Sequence, residues 1–448
     1  MNNHPLQEAL LALPDNALES IISSIFMPSL FKALGFEPVE YIPQYFTGNG
    51  TVDYAARHNT PNDIFVQTKS NPHLLIELKS RNINLSDGST QYNSTIKQIQ
   101  NYLGADAKNC QSVEWGIITN SKNIQLFRRH GKLIYPATLN IEITASNILE
   151  VVTDIKQKIE NPQRSLTVAV YNNKGGVGKT TTTINLAAAL TWMDKKVLII
   201  DFDPNQRDLT NSLGIKNLTE IFYNCLEDKE NRVDISTAII PFKAKSPKSS
   251  KQLIFDVIPA DNKLFDTDES KLRQEIKINR LRQVLVGLKN QYDYILIDAP
   301  PNWRFFSQSA VCAADVVLIP TKHNSMSSLE NAAITISQFI PEIQEYRKDG
   351  SPIALPIFFN GEKITEAAKI VAQKELDNII NRFKHDHNFN LLPYIYPRYT
   401  PAAKKRDIFE LPSYASIAGA VFSRTPAAYK DKTAYDYYKN LAKEHFVL

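Results

Sequence analysis

The chain has 448 residues, 43% of them hydrophobic and 22% charged, which is enough for two or three domains with their own cores. A net charge of +4 does not by itself indicate a polyanion partner, so any nucleic-acid surface must be a local patch. Cysteines at only three distant positions exclude a disulfide framework, and the N-terminus lacks a signal-peptide pattern, so we expect a cytoplasmic protein.

The first 145 residues are predicted to form an α/β domain of their own. A helical stretch, NALESIISSIFMPSLFKALGF, ends at Gly35, and the runs TVDYAAR, HLLIELKS, EWGIITN and IQLFRR are predicted strands. The segment STIKQIQNYLGADA between them is predicted to be a helix. An amphipathic segment that ends in Asn-Pro is predicted to be a linker helix over residues 146–163.

From residue 164 to 448 the pattern changes to apolar strands that alternate with helices. The strands LTVAVY, KKVLIIDFD, QLIFDVIPA, YDYILIDAP, DVVLIP and ALPIFFN are apolar without alternation, which indicates burial on both faces. We therefore predict a mostly parallel sheet with helices on both sides. The stretch FKAKSPKSSKQ, residues 242–252, is predicted to be an exposed loop.

A phosphate-binding loop, KGGVGKTT, lies between the first of these strands and a predicted helix. Its glycines let backbone N–H groups point at phosphate oxygens, and the helix N-terminus adds its dipole. Lys179 is predicted to contact the β and γ phosphates, and Thr180 to place its hydroxyl on Mg²⁺. The predicted nucleotide contacts in the loop are Gly175, Gly176, Val177, Gly178, Lys179, Thr180 and Thr181.

This loop, with a second lysine at its start, resembles the deviant Walker A motif of the ParA/MinD family of P-loop ATPases. The resemblance extends over about residues 165–448. It implies binding of ATP and Mg²⁺ and a face-to-face dimer in which Lys174 reaches the phosphates held by the partner subunit. The alternative is a solvated lysine at the mouth of the loop.

Three further positions follow from the same resemblance. DFDPNQRDLT resembles the family's first switch segment, and Asp203 is expected to orient the attacking water near Mg²⁺. Because Asn205 separates the proline from Gln206, neither of these two side chains is given a role. ILIDAPP resembles Walker B, with Asp298 delivered to the metal at the end of its strand. Asn360 stands where relatives often contact adenine, although asparagine is also common at strand ends.

Two C-terminal features bear on what the ATPase acts upon. We expect a cluster of basic residues to bind DNA phosphates without recognising the base sequence. The alternative is that these residues form an ordinary solvated, charged surface. The members of the cluster are Arg398, Lys404, Lys405, Arg406, Arg424, Lys430 and Lys432. The last helix, TAYDYYKNLAKEHFVL, has an apolar face but mixed charges opposite it. We expect it to pack on the domain rather than bind a membrane.

The first domain carries a second motif, D…ExK, formed by Asp53, Glu77 and Lys79. Two carboxylates on adjacent strands can hold Mg²⁺, and a lysine beside them can stabilise the negative charge of a transition state. Residues 16–135 resemble the PD-(D/E)xK nuclease domain of type I restriction enzyme motor subunits, which implies that Glu19 completes the metal site. Val52 replaces the family's proline before the aspartate. A fold that binds DNA without cutting and an unrelated α/β domain are the alternatives.

Two functions are consistent with this combination. The first is a ParA-type ATPase that dimerises on ATP, binds DNA for plasmid or chromosome partition and works with a centromere-binding ParB-type adaptor. The second is an ATP-gated DNA nuclease that acts in defence. Both would be nucleoid-associated in the cytoplasm, without stable membrane insertion.

Overall fold

The computed structural model describes residues 4–227, 233–245, 252–361, 365–396 and 408–447. The chain forms two compact units. The first unit comprises Met1–Pro162 with Lys348–Ser351 and Leu448, and the second comprises Gln163–Arg347 and Pro352–Val447.

The first unit is built on a mixed sheet in which the order of strands is β1-β2-β3-β4-β5-β6, with β7 beside β5. Only the β3–β4 pair among these is parallel. The strands are β1 Tyr41–Phe46, β2 Thr51–Ala56, β3 Leu74–Leu78, β4 Trp115–Thr119, β5 Asn123–His130, β6 Leu133–Pro136 and β7 Ile141–Glu142. The helices are α1 Pro5–Leu11, α2 Glu19–Ile25, α3 Met27–Leu34, α4 Phe65–Thr68, α5 Thr90–Tyr102 and α6 Ile148–Glu160.

Helices cover both faces of this sheet. One core joins α1, α2, α3 and α6 to the sheet, and another joins α5 to it. The predicted linker helix is α6, and its apolar face is buried in the first core. The helical stretch before Gly35 is divided into α2 and α3, because Pro28 has no N–H to continue the hydrogen-bond ladder. Gly35 ends α3 at φ 96°, a conformation that favours glycine.

The second unit contains a larger sheet in the order β10-β11-β9-β12-β8-β13-β15 and a small parallel sheet in the order β14-β16-β17. All pairs of the larger sheet except β10–β11 are parallel, which confirms the predicted α/β fold with a mostly parallel sheet. The strands are β8 Leu166–Val170, β9 Val197–Asp201, β10 Ile240–Lys245, β11 Gln252–Ile258, β12 Tyr294–Asp298, β13 Val316–Leu318, β14 Pro320–Thr321, β15 Ile353–Ala354, β16 Phe358–Asn360 and β17 Glu410–Leu411.

Helices lie between these strands, and a π-helical stretch, Thr335–Phe339, joins two of them. They are α7 Lys179–Trp192, α8 Asp208–Leu213, α9 Ile221–Leu226, α10 Asn262–Asp266, α11 Glu269–Glu275, α12 Arg280–Leu285, α13 Phe305–Ala313, α14 Met326–Ile334, α15 Ile340–Arg347, α16 Glu366–Asp386, α17 Leu392–Ile395, α18 Ala415–Gly419, α19 Ala427–Lys430 and α20 Lys432–His445. In the described part of the chain, no helix combines the length and apolarity that crossing a bilayer requires.

The prediction of a loop over residues 242–252 is wrong at both ends, since Gln252 already belongs to β11. Residues as far as Lys245 belong to β10, which pairs antiparallel with β11. The lysines and prolines suggested a loop, but Ile240, Phe242 and Ala244 alternate with a proline and two lysines, as in a strand at the edge of a sheet. Residues 246–251 lie outside the described part.

Candidate functional site

The glycine-rich loop connects β8 to α7 and bends through left-handed backbone conformations. Gly176 has φ 76° and Gly178 has φ 85°, which favour glycine at both positions. Lys179 is the first residue of α7, and its buried ammonium donates a hydrogen bond of 3.0 Å to the carbonyl of Lys174. The Lys174 side chain itself is exposed. The two lysines of the loop therefore have opposite environments.

Parallel strand register brings the loop and two aspartates to one edge of the sheet. Asp298, the last residue of β12, pairs with Val170 of β8 and with Asp201 of β9. The Thr180 hydroxyl donates a hydrogen bond of 2.6 Å to Oδ2 of Asp298. The second carboxylate oxygen, Oδ1, is buried without a hydrogen-bond partner among the described residues. A hydroxyl and a carboxylate with an unsatisfied oxygen form a donor set that fits Mg²⁺.

Burial dominates the electrostatics of this edge. It raises the pKa of Asp298 well above the ordinary value, and the neighbouring Asp201 raises it further. It also raises the pKa of Asp203, and it lowers the pKa of Lys179 against the opposing effect of Asp298 and Asp203. Burial thus disfavours the charged forms of these three side chains. A bound ion of opposite charge would stabilise those charged forms.

Asp201 is a site residue that the sequence analysis did not single out. Burial raises its pKa to about 6, against hydrogen bonds that favour the charged form. Its Oδ2 accepts hydrogen bonds from the backbone N–H of Thr210 at 2.9 Å and from the Thr210 hydroxyl at 2.6 Å. Asp201 thus ties the end of β9 to α8. Its place as the first aspartate of DFDP, directly after an apolar strand, was the available signal.

Asp203 lies two residues beyond β9 and is mostly buried. Its Oδ1 accepts a hydrogen bond of 3.2 Å from the backbone N–H of Gln206, so the turn that contains the inserted Asn205 closes on this carboxylate. The turn ends at Arg207, which has φ 56° and precedes α8. Its guanidinium lies over the ring of Phe265 at 4.5 Å.

Asn360, at the end of β16, has its side-chain amide against the phosphate loop. Nδ2 donates to the carbonyl of Val177 at 2.9 Å, with the Gly178 carbonyl at 3.3 Å and the Thr182 hydroxyl at 3.2 Å. A Cβ at position 178 would lie 2.2 Å from this nitrogen, so Gly178 also leaves room for the Asn360 amide. The adenine contact proposed for Asn360 stays a prediction.

Three members of the predicted DNA-binding cluster can be located, Arg424, Lys430 and Lys432, and all three are exposed. The aliphatic part of Arg424 packs over Gly214, where a Cβ would lie 2.4 Å from Cδ of the arginine. Lys432 is exposed at the start of α20. The remaining members, Arg398, Lys404, Lys405 and Arg406, lie outside the described residues.

The D…ExK residues of the first unit lie close together. Asp53 accepts a hydrogen bond of 2.7 Å from the backbone N–H of Leu78, and Lys79 forms a 2.5 Å ion pair with Oε1 of Glu77. The other oxygen, Glu77 Oε2, is buried without a hydrogen-bond partner in the described part of the chain. Burial raises the pKa of Glu77 to about 7, with Lys79 opposing and the charges of Asp53 and Glu19 adding to the rise.

Glu19 begins α2 and is exposed, at a distance from which it affects Glu77 only through its charge. Among the residues that the structure describes, no three His, Cys, Asp or Glu side chains are grouped so that they could hold a metal ion together. The predicted set of three carboxylates is therefore present as a pair, Asp53 and Glu77, with Lys79 beside it. The unsatisfied oxygen of Glu77 leaves this pair compatible with a divalent cation.

Known proteins resemble part of this chain. Residues 165–351 match the protein family AAA_31, described as an AAA domain. A stretch of 157 residues is 36% identical to the sporulation initiation inhibitor protein Soj of Bacillus subtilis, and one of 155 residues is 37% identical to the chromosome partitioning protein ParA of Myxococcus xanthus. These stretches cover 35% and 34% of this chain and 57% and 50% of those proteins, so the chain spans about half the length of the curated relatives it matches.

Two solved structures share similarity with a larger part of the chain. The structure of pNOB8 ParA bound to nonspecific DNA is 24% identical with a TM-score of 0.46 and covers 62% of this chain and 97% of that chain. The septum site-determining protein MinD from Pyrococcus horikoshii, complexed with Mg-ADP, is 20% identical with a TM-score of 0.43 and covers 62% of this chain and 95% of that chain.

The glycine-rich loop between a buried strand and a helix, with Thr180 bonded to Asp298 at the same sheet edge, defines a P-loop domain. Residues 165–351 are similar to the AAA_31 family, and stretches of the chain are similar to the Soj and ParA proteins.

Proposed function

We propose that this chain is an ATPase of the ParA type that binds ATP and Mg²⁺, dimerises on ATP and binds DNA in plasmid or chromosome partition. The observation that carries the proposal is the bond between Thr180 and Asp298, because it joins the phosphate loop to the Walker B strand. Lys179 would bind phosphate oxygens, and Thr180 and Asp298 would hold Mg²⁺, which supplies charge stabilisation when bound.

Asp203 and Lys174 complete the proposed hydrolytic site. Asp203 lies at the same sheet edge, where its carboxylate would orient the attacking water. The exposed Lys174 would reach the phosphates of a partner subunit. The name of the ParA relative supports chromosome partition as the process. DNA and a ParB-type adaptor would be the partners in that process. The protein would then be nucleoid-associated.

The test of this proposal is ATP hydrolysis by the full chain. Thr180→Ala and Asp298→Asn should each lower the hydrolysis rate by about a hundredfold, because both remove a predicted Mg²⁺ ligand. Thr191→Ala is the matched control, since that hydroxyl lies at the far end of α7 and donates a hydrogen bond of 2.9 Å to the Ala187 carbonyl of the same helix. Equal hydrolysis by all three variants would reject the assignment of the site.

The grouping of Asp53, Glu77 and Lys79 supports a second candidate function, a Mg²⁺-dependent nuclease gated by the ATPase. In that case the full chain should nick DNA with Mg²⁺, and both Glu77→Gln and Lys79→Ala should abolish nicking while ATP hydrolysis is kept. Exposed Lys32 provides the control variant, Lys32→Ala. Persistence of nicking in Glu77→Gln would assign it to a contaminant, and absence of nicking in the wild type would leave the first unit a DNA-binding scaffold.

A further inference from the structure

An open groove of about 880 Å³ lies on the first unit, along β1 and the turns at residues 69–71 and 108–111. We call it the β1 groove. The Tyr45 hydroxyl fixes its walls, since it lies 3.2 Å from the carbonyl oxygen of Lys69 and 3.0 Å from that of Asn109. The two turns are therefore held at a set distance from β1, and the groove is preformed.

The charged residues that line the β1 groove are both basic, and they lie among polar and apolar residues. The lining includes Lys69, Lys108, Asn71 and Gln111, and none of the residues that line the groove is acidic. Both lysines are exposed. Two ammonium groups and several amides without a carboxylate favour an anionic ligand that also accepts hydrogen bonds, such as a chain of phosphates.

The backbone of β1 argues against a peptide strand as the ligand. Among the described strands β1 pairs only with β2, so its other edge is open. Pro43 has no N–H to offer there, and Gln44 has φ 50°, which interrupts the extended ladder that an added strand would need. Lys69 and Asn71, across the groove, also have positive φ, at 51° and 52°. Such strained backbone is concentrated at ligand-binding sites.

Phe46, at the end of β1, also lines the groove, and 59% of its surface is exposed. An exposed aromatic ring beside a basic groove is the arrangement on which unpaired bases stack in single-strand-binding proteins. A base within a duplex is already stacked and cannot use such a ring. The combination therefore favours a single strand over a duplex.

The groove is also connected to the carboxylate pair of the first unit. Gln44, which lines the groove, donates a hydrogen bond of 3.3 Å to Oδ1 of Asp53. We propose that the β1 groove binds a single nucleic-acid strand, with phosphates at Lys69 and Lys108 and a base on Phe46, and directs that strand towards Asp53 and Glu77. The binding stands independently, whereas the delivery for cutting rests on the candidate nuclease function.

The test uses the full chain without nucleotide, which separates the groove from the ATP-dependent DNA binding of the proposed function. Fluorescence anisotropy would measure binding of a labelled single-stranded oligothymidylate and of a duplex of equal length. We expect the single strand to bind more tightly. Lys69→Glu with Lys108→Glu should weaken its binding at least about tenfold and lower the log–log salt slope by about 1.4, or about 0.7 for each lost contact. Phe46→Ala should weaken it about tenfold.

Lys32→Glu with Lys122→Glu is the matched control, since both lysines are exposed on the same unit and neither lines the groove. ATP hydrolysis, measured in parallel, should be unchanged in every variant and reports that the chain is folded. Equal loss of binding in the control pair, a preference for the duplex, or unchanged binding in the groove variants would each overturn the proposal. Groove-dependent binding by Glu77→Gln, without any nicking by the wild type, would keep the groove and reject the nuclease.

Discussion

Two lysines five residues apart in one loop occupy different environments. Lys179 is buried at the start of α7 and interacts with the charges of Asp298 and Asp203, whereas the Lys174 side chain faces solvent. A side chain that extends away from its own loop can serve a second active site. Because Lys174 is exposed and Lys179 is buried, an experiment can test whether Lys174 acts on the nucleotide of the partner subunit.

Lys174→Ala should abolish hydrolysis but keep ATP binding, because Lys179 still holds the phosphates of the same subunit. Asp203→Ala should bind ATP and fail to position water. When the two variants are mixed, heterodimers contain one site with the native Asp203 of one subunit and the native Lys174 of the other, so partial turnover should return. Heterodimers that form by mass measurement and stay inactive would argue for a role of Lys174 within its own subunit.

The Asn360 amide has two candidate roles, support of the phosphate loop and contact with adenine, and nucleotide binding can separate them. Since Nδ2 bonds to the Val177 carbonyl at 2.9 Å, Asn360→Ala should loosen the loop and weaken ATP and GTP binding by the same factor. Asn360→Asp should be at least as harmful, because it turns an acceptor towards carbonyl oxygens. Nucleotide binding by calorimetry would measure both. Selective loss of ATP affinity, with GTP affinity unchanged, would instead establish the adenine contact.

At the scale of elements, the last helix, α20, packs against α7, the helix that follows the phosphate loop. Its buried residues include Tyr438, Leu441 and Ala442. Glu444, a charged residue of the same helix, is buried as well. The helix therefore packs on the second unit, as predicted, and supports the helix that begins with Lys179.

Leu441→Ala should lower the free energy of unfolding by about 3 kcal/mol, because Leu441 is fully buried and its loss leaves a cavity. Chemical denaturation would measure the change. Asn440→Ala, one residue earlier and exposed, should alter the same free energy by less than about 0.5 kcal/mol. Equal effects of the two substitutions would contradict the packing of this face.

At the scale of the whole molecule, ATP binding and DNA binding should be linked. If the C-terminal basic cluster holds phosphates, DNA affinity should require ATP and fall steeply with salt. The triple variant Lys404→Glu, Lys405→Glu and Arg406→Glu should weaken binding to all duplex sequences alike and lower the salt slope by about 0.9 for each lost contact. The measurement is DNA affinity at several salt concentrations.

Lys374→Glu, an exposed charge reversal on α16, serves as the control and should leave the salt slope unchanged. Unchanged binding in the triple variant would move the ATP-dependent DNA site to another part of the chain.

The sequence by itself determined the principal strands of the second unit and the local form of the phosphate loop. Apolar runs without alternation, such as LTVAVY and YILID, indicate strands covered on both faces, and glycine spacing constrains a backbone without help from distant residues. Likewise, Gly35 marks the end of a helix through its own backbone chemistry. These features are local, so local patterns predict them.

Only the tertiary structure decided which distant groups meet. Asn360 contacts the carbonyl of Gly178 from 182 residues away, and Thr180 meets Asp298 from 118 residues away. The β1 groove needs three segments fixed by the Tyr45 hydroxyl. The burial that raises the pKa of Asp201 and of Glu77 is likewise a property of the packed molecule. Such contacts depend on strand pairing and packing, which residue spacing along the chain does not specify.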